Sequence, residues 1–317
     1  MATQPQQGFL PPAFFQLGDG QEGYPPGYEV LASTFKRLTG IDLSAYKERQ
    51  MLRRLTSYLK RVDVPDFAAL ASRISRDAAA LAHLKDYITI NVSEFFRNPD
   101  RYKVLESEII PDLMREFGAL RVWSAGCSIG AEPYSLAILL EELDPHGAHR
   151  VLATDVDTGA IAAARAGVYT ADKLKEVSPE RLRRFFTQTP DGQWRIAPRV
   201  QDRVRFRVHD LLRDPYPMAQ HLILCRNVVI YFTDDAKEEV FRKLAGALVE
   251  GGYLLVGSTE SIFRPERYGL QAAGAFLYRK VGGGAAGVGK NAGLQKGDAG
   301  RADAGRRGPV GTLGAQI

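Results

Sequence analysis

The chain has 317 residues, 45% of them apolar and 25% charged, a formal net charge of +5, and two cysteines, Cys127 and Cys225. Two cysteines exclude a disulfide framework, and the five histidines share no metal-ligand spacing with them, so a reducing cytoplasm is the expected compartment and no metal is expected. No apolar run reaches the roughly 18 residues of a membrane span, and the first residues lack the basic segment and apolar stretch of a secretory signal.

Residues 1–28 hold five Pro and five Gly, carry a charge of −2 and show no apolar period. They are expected to be disordered. From Tyr28 the pattern becomes helical: Tyr28, Leu31, Phe35 and Leu38, then Leu52, Leu55, Leu59 and Val62, then Phe67, Leu70 and Ile74 recur every three or four residues. Gly40 and Pro65 interrupt them. This predicts an all-α domain over 29–92 with about four short helices, followed by a linker helix over 93–118. Residues 29–90 carry +4.

Beyond residue 119 short apolar runs alternate with helical stretches. RVWSA (121–125), VLATD (151–155), VRFRVHD (204–210), HLILCRN (221–227), GGYLLVGS (251–258) and AFLYRKV (275–281) read as strands. Residues 133–143, 159–166 and 234–248 read as helices between them. The alternation predicts an α/β domain over 119–281 with a mostly parallel sheet, its last two strands forming an antiparallel edge pair. Residues 170–203 break the rhythm with Pro179, Pro190, Gly192 and Pro198, and read as an insertion containing a short strand at 193–197. Residues 282–317 are Gly- and Ala-rich, cannot bury a core and are expected to be a disordered tail. Residues 91–280 sum to zero charge, so the +5 is confined to the helical domain and the tail.

The chemistry-bearing residues gather at predicted strand ends. The first strand runs into Gly126-Cys127-Ser128-Ile129-Gly130, with Pro133 expected to open the next helix. This spacing fits a binding loop or a plain packing turn. Asp155 ends the second strand, where an acid accepts hydrogen bonds from ribose hydroxyls in doubly wound folds. Asp155 or Asp157 is equally placed to cap the following helix. A glycine turn paired with that acid suggests a nucleoside-bearing cofactor. Arg226-Asn227 ends a buried strand and either faces a ligand crevice or satisfies local backbone. NVSEFFRNPD (91–100) couples Arg97 and Ser93 to Phe95 and Phe96, and reads either as a site segment or as a helix-capping linker with Ser93 at the cap.

In this order and spacing, NVSEFFR, WSAGCSIGAEPYSLA, ATDVD, GVY and ILCRNVVIYF resemble the CheR-type chemotaxis receptor methyltransferases over about residues 30–280. These are S-adenosylmethionine-dependent protein-glutamate O-methyltransferases. The resemblance implies a Rossmann-like methyltransferase domain with a small inserted β-subdomain, preceded by an all-α receptor-recognition domain. It implies S-adenosyl-L-methionine as cofactor, S-adenosyl-L-homocysteine as product, and the cytoplasmic coiled coil of a methyl-accepting chemoreceptor as partner, for an enzyme that is monomeric and not membrane-inserted.

Matched position by position, the resemblance places Asn91, Ser93 and Arg97 beside the cofactor's methionyl end and methyl group. Gly126 and Glu132 belong to the loop after the first strand, where Glu132 contacts the methionyl part. Asp155 takes the ribose, Asp210 and Leu211 flank the adenine, and Asn227 and Val228 stand at the reactive side. Arg97 and Tyr231 are the candidate catalytic groups. Ser93 stands where Thr is usual, Ala131 where Glu is usual, and His221 where Asp is usual. The turn TPDGQ (189–193) is shorter than in relatives that grip a receptor's C-terminal pentapeptide, so such tethering is not expected.

On a helical wheel of 44–62, Met51, Leu52, Leu55, Tyr58, Leu59 and Val62 share one arc. Lys47, Arg49, Arg53, Arg54, Lys60 and Arg61 share the other. Residues 47–61 carry +5. An ordinary solvated face would look the same, but the resemblance makes Arg49, Arg53, Arg54, Lys60 and Arg61 candidates for docking an acidic receptor helix. An RNA or DNA methyltransferase is a weaker alternative, because amino-group methylases usually carry an Asn-Pro-Pro-aromatic motif where this chain has Asn227-Val-Val-Ile-Tyr231. An inactive cofactor-binding scaffold is a third reading, and the intact Arg97, Asp155 and Asn227 argue against it.

Overall fold

The computed structural model describes residues 24–89 and 93–282. The expectations for residues 1–23, for Asn91 and for the tail beyond Gly282 lie outside the described residues. Four helices open the chain: α1 (Tyr28–Thr39), α2 (Glu48–Arg61), α3 (Phe67–Arg76) and α4 (Ala78–Ile88). Tyr28, expected to close a disordered segment, instead begins α1, with Tyr24 stacked on it at 4.5 Å. The periodic residues form the predicted core, with Leu31, Phe35, Leu55 and Leu70 buried together. Local chemistry sets the helix ends. Gly40 stops α1 at φ 81°, a conformation that costs glycine little. Asp66 and Asp77 accept the first backbone N–H groups of α3 and α4, as good N-caps do.

The linker differs from expectation. Helix begins only at Pro99, as α5 (Pro99–Val104), and passes through one π turn (Leu105–Ile109) into α6 (Ile110–Phe117). Residues 93–98 form a loop in which Phe96 (φ 52°) and Asn98 (φ 63°) are both left-handed. Ser93 caps nothing; Asn98 occupies the position before α5, and Pro99 takes the first helical position.

The α/β domain follows as β1 (Arg121–Ala125), α7 (Ala131–Leu143), β2 (Arg150–Asp155), α8 (Thr158–Ala166), β3 (Val168–Tyr169), α9 (Pro179–Phe185), β4 (Phe186–Gln188), β5 (Trp194–Ile196), α10 (Pro198–Gln201), β6 (Val204–Val208), β7 (Gln220–Cys225), α11 (Asp234–Ala247), β8 (Leu248–Val256), β9 (Leu270–Gly274) and β10 (Leu277–Lys280). The main sheet runs β6-β2-β1-β7-β8-β10-β9. Its first five strands are parallel, and β10 lies antiparallel to both β8 and β9. The edge therefore has one strand more than expected: β9, four of whose five residues are exposed, offers no apolar run to read. The insertion is a second sheet, β3-β5-β4, and it opens at Val168 rather than at 170. Helix α7 starts two residues before Pro133. Proline is tolerated there because the N–H groups of a first helical turn have no intrahelical partner.

Period-two alternation builds the two halves of the core. On β1, Val122 joins the cluster around α7 and Phe95, while Trp123 joins the cluster around α11. The helical domain is stitched to the α/β domain at two places. Thr89, past α4, donates to Asp157 at 2.9 Å, and Lys85 reaches Thr158 at 3.3 Å. Residues 45–47 pair with residues 231–233 through Lys47 N to Tyr231 O (2.8 Å) and Thr233 N to Ala45 O (2.9 Å). Among the described residues no helix is long and apolar enough to cross a membrane.

Candidate active site

Open α/β sheets bind ligands at the carboxyl ends of their strands, where the strand order reverses. In this sheet β1 is flanked by β2 on one side and by β7 on the other, and the cleft opens at that point. It encloses about 1010 Å3 including its open mouth. Ser93, Arg97, Gly126, Glu132, Asp155, Asp210, Leu211, Asn227, Val228 and Tyr231 all line it. Every predicted catalytic or cofactor-binding residue that the structure describes thus converges on one cleft; Asn91 lies outside the described residues.

The loop after β1 is shaped by backbone constraints. Gly126 has φ +82°, and a Cβ there would lie 2.3 Å from Val228 Cγ2. Both Gly126 N and Cys127 N donate to Thr154 O, at 2.8 and 2.9 Å. The two acids beyond β2 divide their roles. Asp157 caps α8 through Gly159 N and Ala160 N. Asp155 accepts Ser128 N at 2.7 Å on one oxygen and Asp157 N at 2.9 Å on the other. A carboxylate has further lone pairs on both oxygens, so Asp155 can still accept ribose hydroxyls. Burial pushes its pKa up, against the opposing pull of those two N–H groups.

Arg226, the first residue past β7, organises the opposite wall. It pairs with Glu132 at 3.3 Å, and its other terminal nitrogen donates to Arg97 O at 2.8 Å and Asn98 Oδ1 at 2.7 Å. Ser124 donates to Glu132 at 2.7 Å. Burial raises the Glu132 pKa more than Arg226 and Ser124 lower it. Arg226 therefore ties the left-handed turn carrying Arg97 to α7. Phe96 N donates to Ser135 Oγ at 2.9 Å, and Phe95 packs edge-on against Tyr169 and Phe186. The aromatic pair of NVSEFFR and the Tyr of GVY thus brace the Arg97 loop from behind.

Asn227 sits at φ 60°, held by a residue that the sequence did not mark. The buried carboxylate of Glu260 accepts the N–H groups of Asn227 (2.6 Å), Val228 (2.8 Å), Ile230 (3.2 Å) and Gly257 (2.7 Å). Nothing in GSTESI announces a carboxylate turned inward onto a neighbouring loop. Tyr46, His209 and Phe232 also line the cleft without having been singled out. The Tyr231 hydroxyl is raised in pKa by burial, opposed by Arg54 and Arg97, so it stays protonated at neutral pH. Cys127 and Cys225 are buried, and burial raises both thiols well above their ordinary value. Cys225 is a core residue, and Cys127, although buried, also lines the cleft.

The lining suits a nucleoside attached to a cationic amino-acid end. Asp155 offers acceptors at a strand end, Asp210 and buried Leu211 provide a mixed polar and apolar wall beyond β6, and Glu132 adds a carboxylate. On α2, Arg49, Arg53, Lys60 and Arg61 are exposed, as the wheel predicts. Arg54 departs from that face. Its guanidinium lies 5.0 Å from the Tyr87 ring centroid and donates to the Tyr87 carbonyl.

The model of the CheR methyltransferase SAM-binding domain matches residues 91–274, and that of the CheR all-alpha domain matches residues 26–89. A chemotaxis protein methyltransferase of Listeria innocua is 40% identical over 255 residues, covering 80% of this chain and 97% of the relative. Chemotaxis protein methyltransferase 1 of Pseudomonas aeruginosa is 31% identical over 265 residues, again covering 80% of this chain and 97% of the relative.

Proposed function

Since the chain belongs to the CheR family of S-adenosylmethionine-dependent methyltransferases, we propose that it methylates glutamate side chains on the cytoplasmic helices of chemoreceptors. The observation that carries this reading is the convergence of Arg97, Asp155, Asn227 and Tyr231 on one cleft whose acidic lining suits the cofactor.

S-adenosylmethionine supplies a methyl group made electrophilic by its sulfonium. Asp155 would hold the ribose, Asp210 and Leu211 would flank the adenine, and Glu132 would face the methionyl end. A glutamate with a pKa of about 4.3 is already ionised at neutral pH, so no residue has to remove a proton. The cleft accordingly needs no poised His or Cys. Anion and cation are converted to neutral products, so excluding water from the pair favours reaction, and in-line positioning supplies the rest. Arg97, fixed through its carbonyl by Arg226, orients the incoming carboxylate. The protonated Tyr231 hydroxyl can donate to the same group. The exposed basic groups of α2 complement an acidic receptor helix.

The test is transfer of radiolabelled methyl from S-adenosylmethionine to a receptor cytoplasmic fragment, followed by mild alkali. Label released as methanol is the expected result, because glutamyl esters hydrolyse. Label that survives alkali would exclude a glutamyl ester and overturn the reading.

A further inference from the structure

Tyr46 belongs to the helical domain by sequence, yet it lines the cofactor cleft. It follows a short turn (Leu43–Ala45) and precedes α2. Its ring packs against the core of the helical domain and against the α11 side of the α/β core, touching both clusters. Two backbone hydrogen bonds hold it there, Lys47 N to Tyr231 O and Thr233 N to Ala45 O, with Tyr46 paired antiparallel to Phe232 between them. The Phe232 ring meets it edge-on, with centroids 5.3 Å apart. The segment gripping Tyr46 begins four residues beyond Asn227, and its Tyr231 and Phe232 line the same cleft.

We propose that Tyr46 is a cofactor-binding residue supplied by the helical domain, closing the nucleoside end of the cleft on the side of Asp155 and Asp210. The proposal rests on the cofactor reading above. Among the described residues the Tyr46 hydroxyl has no hydrogen-bond partner, so a donor remains for a ligand in the cleft that it lines. Burial, Asp210, Asp155 and Asp42 all raise its pKa; it stays protonated and able to donate. A flat ring beside a nucleoside also offers a stacking or edge contact. Because the ring belongs to one domain and the acids to the other, occupancy of the cleft should tighten the junction between them, and a tighter junction should favour occupancy by the same factor.

The test uses the full chain with Tyr46→Leu and Tyr46→Phe. Leu keeps an apolar contact with Phe232 but removes both ring and hydroxyl; Phe removes only the hydroxyl. S-adenosylhomocysteine is titrated by calorimetry. Tyr46→Leu should weaken binding about tenfold or more, equivalent to about 1.4 kcal/mol, and Tyr46→Phe by less. Amide exchange at Lys47 N–H should slow when S-adenosylhomocysteine is added to the wild type, and slow less in Tyr46→Leu. Both variants binding within about twofold of the wild type would overturn the proposal. A wild type that does not bind S-adenosylhomocysteine would instead overturn the cofactor reading beneath it, so the two failures are distinguishable.

Discussion

Asp155 has opposite effects on binding and on folding. If it holds the cofactor's ribose, as proposed, the ionised carboxylate is the stronger acceptor, and burial raises its pKa above the ordinary carboxylate value. Cofactor affinity should therefore begin to fall, as pH is lowered, before an ordinary carboxylate would protonate. Asp155→Asn should bind S-adenosylhomocysteine weakly with little of this pH dependence, as calorimetry across acidic pH can show. For folding the sign reverses. A carboxyl whose native pKa exceeds its unfolded one favours the native state below the unfolded value, and this advantage disappears as pH rises through the native value. Ionised Asp155 thus costs the unliganded fold stability at neutral pH, a cost that the proposed ribose contact would offset. Glu260 presents a different case, since among the described residues its oxygens accept only from backbone N–H groups. In Glu260→Gln one oxygen becomes an amide donor facing N–H groups, and at least two of the four bonds are lost. An unsatisfied buried donor costs about 1–3 kcal/mol. The variant should lose about 2 kcal/mol or more in denaturant unfolding. It should also weaken methyl transfer by releasing Asn227 and Val228. An unchanged unfolding midpoint would show that the loop is held by other contacts.

Among the elements, α8 depends on one side chain in two ways. Asp157 caps its N-terminus through one oxygen and accepts from Thr89 on the other, so a single carboxylate both starts the helix and joins the two domains. Asp157→Ala should cost about 1–2 kcal/mol, the usual worth of a cap, whereas Asp157→Asn keeps a capping oxygen and should cost less. Thermal unfolding of the two variants checks the order. The elements also show what the sequence could reveal. Strands β1, β2, β7 and β8 were legible because burial on both faces demands continuous apolar runs, and α2 because one arc of it is apolar. Strand β9 was not, since its pairing uses backbone alone. The loop at 93–98 departs from the expected helix because Phe96 and Asn98, on either side of Arg97, are left-handed, and left-handed backbone has no apolar signature. The cleft was legible where side chains sit at strand ends in a motif, as with Asp155 and Asn227. It was illegible where a residue arrives from a distant part of the chain, as Glu260 and Tyr46 do. Arg54 shows the limit of the wheel, which assigns an arc but not the reach of a long side chain toward Tyr87 on α4.

At the scale of the molecule, charge is segregated. Residues 91–280 are neutral in sum, while residues 47–61 carry +5. On the proposed function, a neutral body would suit a cleft that receives a cation and an anion together, and would leave attraction of an acidic partner to α2. Arg53 and Arg54 are neighbours in sequence but differ in place: Arg53 is exposed, and Arg54 is engaged with Tyr87. Docking through long-range attraction should depend on the exposed group and fade with salt, because the Debye length shrinks from about 10 Å at 0.1 M to about 3 Å at 1 M. Arg53→Glu should raise the KM for a receptor fragment several-fold at low ionic strength, with the difference shrinking at high salt. Its affinity for S-adenosylhomocysteine and its melting temperature should match the wild type, since a solvated side chain contributes little to folding. Arg54→Glu should lower the melting temperature, because a carboxylate would replace the guanidinium against the Tyr87 ring and carbonyl. Arg54→Lys should recover part of that loss, keeping a cation but not the planar donor. If Arg53→Glu leaves low-salt KM unchanged, α2 is a solvated surface and the receptor docks elsewhere.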